Sequence, residues 1–128
     1  MIKRCPCCHA QLKQACVCRR CQADLQYVFR AEESSQYYMS QAVQYLLDNE
    51  IEKSCISINH SLYLKRTEVA VMFRDFLIHQ QSQLVLDLLV QSELLLAKKT
   101  LYCVRQLLPY SRLLQQLDCF SNYLLLKN

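Results

Sequence analysis

From residue 31 onward, apolar side chains recur every three or four positions, the spacing of one face of an α-helix. Over 32–48, Tyr38, Ala42 and Tyr45 with Met39, Val43 and Leu46 form a broad apolar stripe. Glu32 and Glu33 precede it, where a first helical turn favours acids. Asp48-Asn49-Glu50 breaks the stripe, and Ile51, Cys55, Ile58 and Leu62 start another over about 51–65. Two helices joined by so short a turn predict an antiparallel hairpin. Thr67 is placed to cap a third helix, 68–80, with Val69, Met72, Phe73, Phe76 and Leu77 on its inner face. Polar Gln80-Gln81-Ser82-Gln83 reads as a junction before a fourth helix, 83–98. Its leucines run nearly all round, predicting burial on several sides, and Lys98-Lys99 suits its C-terminus. Residues 100–108 continue with Leu101, Val104 and Leu108 until Pro109 interrupts. A last helix, about 110–126, carries Leu113, Leu114, Leu117, Phe120 and Leu124.

Composition strengthens this picture. The chain of 128 residues has no glycine and only two prolines, so tight hairpins that need positive φ are disfavoured and helices are not. With 52% hydrophobic and 20% charged residues it is globular rather than disordered. The expected fold class is mainly α: a small module over 1–30, then an antiparallel bundle of about five or six helices over 31–128. No uncharged apolar run is long enough for a membrane span. Cys55, Cys103 and Cys119 fall on apolar stripes and read as small buried hydrophobes. The eight tyrosines read as core or rim packing. Tyr123-Leu124-Leu125-Leu126 has two readings, a segment docked on the bundle or a patch for self-association.

The first thirty residues follow a different rule. Cys5-x2-Cys8 is followed after nine residues by Cys18-x2-Cys21. Two residues between cysteines let one tight turn bring both sulfurs to a single ion, with backbone N–H groups directed at them. So short a segment cannot bury a core, so metal–ligand bonds would have to supply its folding energy. Gln11-Leu12 and Asp24-Leu25 hold equivalent places after the two knuckles, an internal pseudo-repeat. Leu12, Val17, Leu25, Tyr27, Val28 and Phe29 are its apolar side. Zinc is the expected cofactor, and iron in an all-thiolate tetrahedron is the alternative. Cys7 and Cys16 are either spare thiols beside the site or a redox pair able to exchange with ligands, and His9 is either a knuckle-turn residue or a ligand. An odd count of nine cysteines, their pairing as C-x2-C and a start of Met1-Ile2-Lys3-Arg4 without an apolar segment all favour a reducing, cytoplasmic setting over a secreted disulfide scaffold.

Cys5-Pro6-x-Cys8, nine residues, Cys18-x2-Cys21, then three residues and Leu25, resembles the short, two-knuckle form of the zinc-ribbon family. The likeness implies a metal-held knuckle pair with ligands Cys5, Cys8, Cys18 and Cys21, and no activity of its own. Over about 34–67 the hairpin resembles a single degenerate tetratricopeptide repeat. Ala42, Ser54 and Ser61, with Tyr45 and Ile58 between them, stand where such repeats let two helices approach closely.

Charge and chemistry narrow the function. Residues 1–30 carry a formal +5 and the rest −1, but four thiolates around a divalent ion would reduce the first figure to about +3. A chain without glycine has no phosphate-cradling loop, His60 and His79 stand singly on separate helices, and a four-cysteine site leaves no position open for water. The sequence is therefore read as non-enzymatic. The favoured function is a zinc-binding adaptor that docks a protein partner, with Tyr38 and Tyr45 on the hairpin and Arg19 and Arg20 on the knuckle as candidate contacts. The alternative is nucleic-acid binding through Lys3, Arg4, Lys13, Arg19 and Arg20. A thiol-based redox sensor comes third.

Overall fold

A computed structural model describes residues 3–13 and 15–127. Among these residues, a short N-terminal segment without strands is followed by five α-helices: α1 (Gln26–Leu47), α2 (Ile51–Leu64), α3 (Glu68–Val90), α4 (Leu94–Cys103) and α5 (Arg112–Lys127). A 3-10 segment, Arg105–Tyr110, lies between the last two. The fold is mainly helical, as its periodicity and glycine-free composition predict.

The hairpin of α1 and α2 closes on small side chains. Ala42, Ser54 and Ser61 are buried, as their spacing predicts, and Ser35 joins them. The Ser54 hydroxyl donates to the Ala42 carbonyl at 2.7 Å. Lower down, the Ser35 and Ser61 hydroxyls lie 3.1 Å apart and each reaches the other residue's carbonyl, at 3.0 and 2.8 Å. Larger residues would separate the helices and leave these polar groups unpaired in a dry seam. Lys65 ties the end of α2 back to buried Glu32 at 3.0 Å. The Thr67 hydroxyl accepts from the Ala70 N–H at 3.2 Å, capping α3 as expected.

One core runs through the helices, with Ile58, Leu77, Val85, Leu101, Leu107 and Leu114 fully buried in it. The 3-10 segment accommodates Pro109, whose missing N–H would break an α-helix. It is pinned to α2 by Arg105–Glu52 at 2.7 Å and by Asn59 Nδ2 donating to the Gln106 carbonyl at 3.0 Å. Ser111 then starts α5 by accepting the Leu114 N–H. Lys98 joins α4 to α5 through Asp118 at 2.9 Å and Asn122 at 2.7 Å.

Several expectations are corrected. α1 begins at Gln26 and runs across the 30/31 boundary, so Glu32 and Glu33 lie inside it and its first turn holds no acid. The supposed junction Gln80–Gln83 is continuous helix, with Gln81 and Ser82 buried. The break falls at Gln91-Ser92-Glu93, and Lys98-Lys99 is in the middle of α4. α3 turns Ala70 and Leu77 inward, whereas Val69, Met72 and Phe76 are more than half exposed. The leucine-rich stretch is not buried on several sides: Leu84, Leu86, Val90, Leu95 and Leu96 are exposed. Leu113, Phe120 and Cys119 also face solvent, Cys103 is half-buried, and of the three cysteines only Cys55 is a core residue. Most tyrosines are exposed, and Tyr123, Leu125 and Leu126 are not docked. No helix among the described residues is long and apolar enough to cross a membrane.

Candidate metal centre

Two copies of one backbone motif, thirteen residues apart, present the cysteines. In the first, the Cys5 N–H donates to the Ala10 carbonyl (2.9 Å), the His9 N–H to the Cys5 carbonyl (2.8 Å) and the Leu12 N–H to the Lys3 carbonyl (3.0 Å). In the second, Cys18 donates to Ala23 (3.0 Å), Gln22 to Cys18 (2.8 Å) and Leu25 to Cys16 (2.7 Å). Isolated antiparallel bridges, Arg4 with Gln11 and Val17 with Asp24, repeat at the same offset. Each turn closes through a left-handed residue, His9 at φ 60° and Gln22 at φ 57°. Glycine is the residue that adopts such a φ at least cost, and each knuckle uses a side-chain-bearing residue in its place. His9 is therefore the turn residue of its knuckle and lies outside the sulfur cluster.

The two turns face each other and bring four sulfurs together. Cys5 Sγ lies 3.6 Å from Cys21 Sγ, and Cys8 Sγ lies 3.5 Å from Cys18 Sγ. All four lie within 4.8 Å of one another. A tetrahedron with metal–sulfur bonds of about 2.3 Å has sulfur–sulfur edges of about 3.8 Å, so the cage fits an ion of zinc's size. No disulfide spans the knuckles, and all nine cysteines are free. Cys5 and Cys18 are buried and sit with Leu12 and Leu25 in a miniature core that Val28 and Phe29 of α1 complete. The cysteine-bearing segment thus shares its few apolar contacts with the first turns of α1.

Two of the four thiols, Cys18 and Cys5, are shifted toward the thiolate and a third, Cys21, away from it. At Cys18 the N–H of Cys21 points at the sulfur and, with that of Arg20 and hydrogen bonds from Cys8 and Cys21, outweighs partial desolvation, so its pKa falls to about 6. At Cys5 desolvation acts upward, but the N–H groups of Cys8 and Cys7 win and the net shift is downward. Cys21 receives the Ala23 N–H, yet desolvation and the crowding of Cys5, Cys18 and Cys8 drive it up to about 12. Four thiols this close cannot all ionise unless a cation joins them, so metal uptake would expel protons.

The other candidates do not converge on this cage. Cys7 and Cys16 are exposed outside it, and Cys7 is held above the ordinary thiol range by desolvation and by Cys5. Arg19 and Arg20 are exposed on the second knuckle turn. Tyr38 and Tyr45 are half-buried far along α1. Tyr38 stacks on His60 with ring centroids 5.2 Å apart, and Lys53 Nζ lies 5.8 Å from the centre of the Tyr45 ring. Sequence reasoning missed the buried Glu32–Lys65 pair. Its signal was Glu32 lying three positions before Ser35, on the same helical face.

No protein-family model, curated protein or solved structure matches the chain. Fold and site together define a small helical protein carrying a four-cysteine cluster at metal-binding distance.

Proposed function

We propose that the chain is a non-catalytic, cytoplasmic zinc-binding adaptor that docks a protein partner through its knuckle and its α1–α2 hairpin. The observation that carries this reading is the cage of Cys5, Cys8, Cys18 and Cys21, whose sulfurs lie within 4.8 Å of one another. Four thiolates saturate a tetrahedral ion, which then has a structural role and no water to activate. Zinc is the ion of this reading; a closed all-thiolate tetrahedron also suits iron, and metal analysis separates the two. The docking side rests on surface chemistry. Gln36, Met39 and Ser40 of α1 and Val69 of α3 line a groove of about 340 Å³. Exposed Met72 and Phe76 extend the apolar stripe begun by Val69 along α3. Methionine-bearing grooves adapt readily to peptide side chains. Tyr38 and Tyr45 supply the opposite flank of α1, and the tetratricopeptide likeness of the hairpin agrees with a docking role.

A second reading, nucleic-acid binding, is favoured by one observation: Lys3, Arg4, Lys13, Arg19 and Arg20 are all exposed on the metal-binding segment. The test combines metal analysis, thiol counting and affinity capture on the full chain. One zinc per chain with five thiols still titratable on unfolding in metal-retaining conditions, and a salt-insensitive partner lost on Tyr38→Ala or Tyr45→Ala, is the expected result. Retention on heparin that weakens steeply with salt and vanishes in R19A/R20A would transfer the function to nucleic acid. A chain that takes up no metal would end both readings.

A further inference from the structure

The end of α3, the start of α4 and the second half of α5 enclose a groove of about 410 Å³. Leu86, Leu89, Val90, Leu94, Phe120 and Leu124 line it, with Ser92, and no charged side chain does. Its banks are apolar too. Val90 is 82% exposed and Leu95, beside Leu94, 80%, while Phe120 and Tyr123 are about half exposed on α5. Each such side chain leaves on the order of 100 Å² uncovered, so the patch totals several hundred Å², a size that marks association surfaces rather than scattered surface leucines.

We propose that this face binds the same face of a second copy of the chain, forming a two-fold symmetric dimer. Three features select that occupant. The face offers both a recess and protruding side chains, so one copy supplies what the other needs, as an isologous interface requires. Its charges are mixed: Glu93 sits between the lining residues Ser92 and Leu94, and Lys127 follows Leu124 by three positions on the same side of α5. A two-fold axis exchanges the two edges and sets Glu93 of one copy against Lys127 of the other, whereas an acidic or basic partner would call for a rim of one sign. Finally, the four exposed banks alone remove roughly 800 Å² over both copies and the partly exposed lining brings this toward the ~1,000 Å² of a specific interface, which implies a weak, reversible dimer. The inference is independent of the adaptor reading and leaves the α1–α3 groove open in each copy.

Sedimentation equilibrium of the zinc-loaded full chain over about 1–200 μM tests it. The expected result is a monomer–dimer equilibrium whose dissociation constant rises at least about tenfold in V90E/L95E, with the helical circular dichroism expected to stay intact because both positions are exposed. E93K alone weakens the dimer, and E93K/K127E restores it to within about twofold, because the pair is exchanged across the axis. A wild-type chain that stays monomeric throughout overturns the proposal without recourse to any variant. So does a dimer indifferent to V90E/L95E, or a charge reversal that fails to restore it. A monomer that instead partitions onto phosphatidylcholine vesicles would assign the face to lipid and overturn it equally.

Discussion

In residues 3–25 the buried apolar set is Cys5, Leu12, Cys18 and Leu25; in the helices it is twelve residues reaching from Ala42 to Leu117. Two of the first four are sulfurs of the proposed cage. Remove the ion from that picture and little apolar burial is left to oppose the entropy of ordering the chain, roughly 1–2 kcal/mol per residue. The bundle has the opposite character, with leucines packed to full burial and its polar groups paired along the hairpin seam. If the proposed ion is bound, one chain carries a region held by coordination and a region held by burial, and Leu25, Val28 and Phe29 are where the two meet. The difference teaches that the parts should fail separately.

The largest effect expected is on the coordinated region. Chelation, or Cys18→Ser, should release residues 3–25 to fast hydrogen exchange while α2 to α5 keep their protection, since structural zinc supplies on the order of 10 kcal/mol of folding energy. Joint unfolding of both regions would erase the comparison. Next comes Leu77→Ala in the bundle, expected to cost about 2–5 kcal/mol in denaturant melts and to leave zinc stoichiometry at its wild-type value. The third concerns pH. Burial, helped by nearby Cys103, pushes the Cys55 thiol up to about 12. The unfolded chain then loses this proton near pH 9 while the folded chain keeps it, so stability present below pH 9 falls as pH rises toward 12. Cys55→Ala should flatten that fall by up to about 1.4 kcal/mol per pH unit in urea melts between pH 9 and 11. Thr67→Ala should be the smallest, about 1 kcal/mol from loss of the α3 cap, read in the same melts.

Legibility divided along the same line. The cage was readable because C-x2-C spacing is a local code: each knuckle closes through its own backbone, whatever the rest of the chain does. The hairpin was readable because two helical apolar stripes are separated only by Asp48-Asn49-Glu50, too short a link for anything but an antiparallel return. Helix ends were harder. Nothing polar and local announces Gln26, where Leu25 and the second knuckle set the start; Asp24 adds only an Oδ1 that accepts the Gln26 N–H at 3.0 Å. Gln80 to Gln83 looked like a break because polarity was taken for exposure, yet glutamine is a sound helix former and Gln81 is buried between elements far apart in sequence. The leucines of 83–98 misled in the opposite sense, since periodicity shows that a face is apolar and not that something covers it. Function was the least legible part, because the adaptor reading depends on a partner that the chain does not contain.

Among the described residues, four turn left-handed in a chain with no glycine: His9, Gln22, Asn49 and Ser92. A free chain visits that conformation at such residues only a few per cent of the time. These corners are therefore poor places for folding to begin. They would be the last parts to settle, drawn into shape by what lies on either side: capture of sulfur at His9 and Gln22, docking of helices at Asn49 and Ser92.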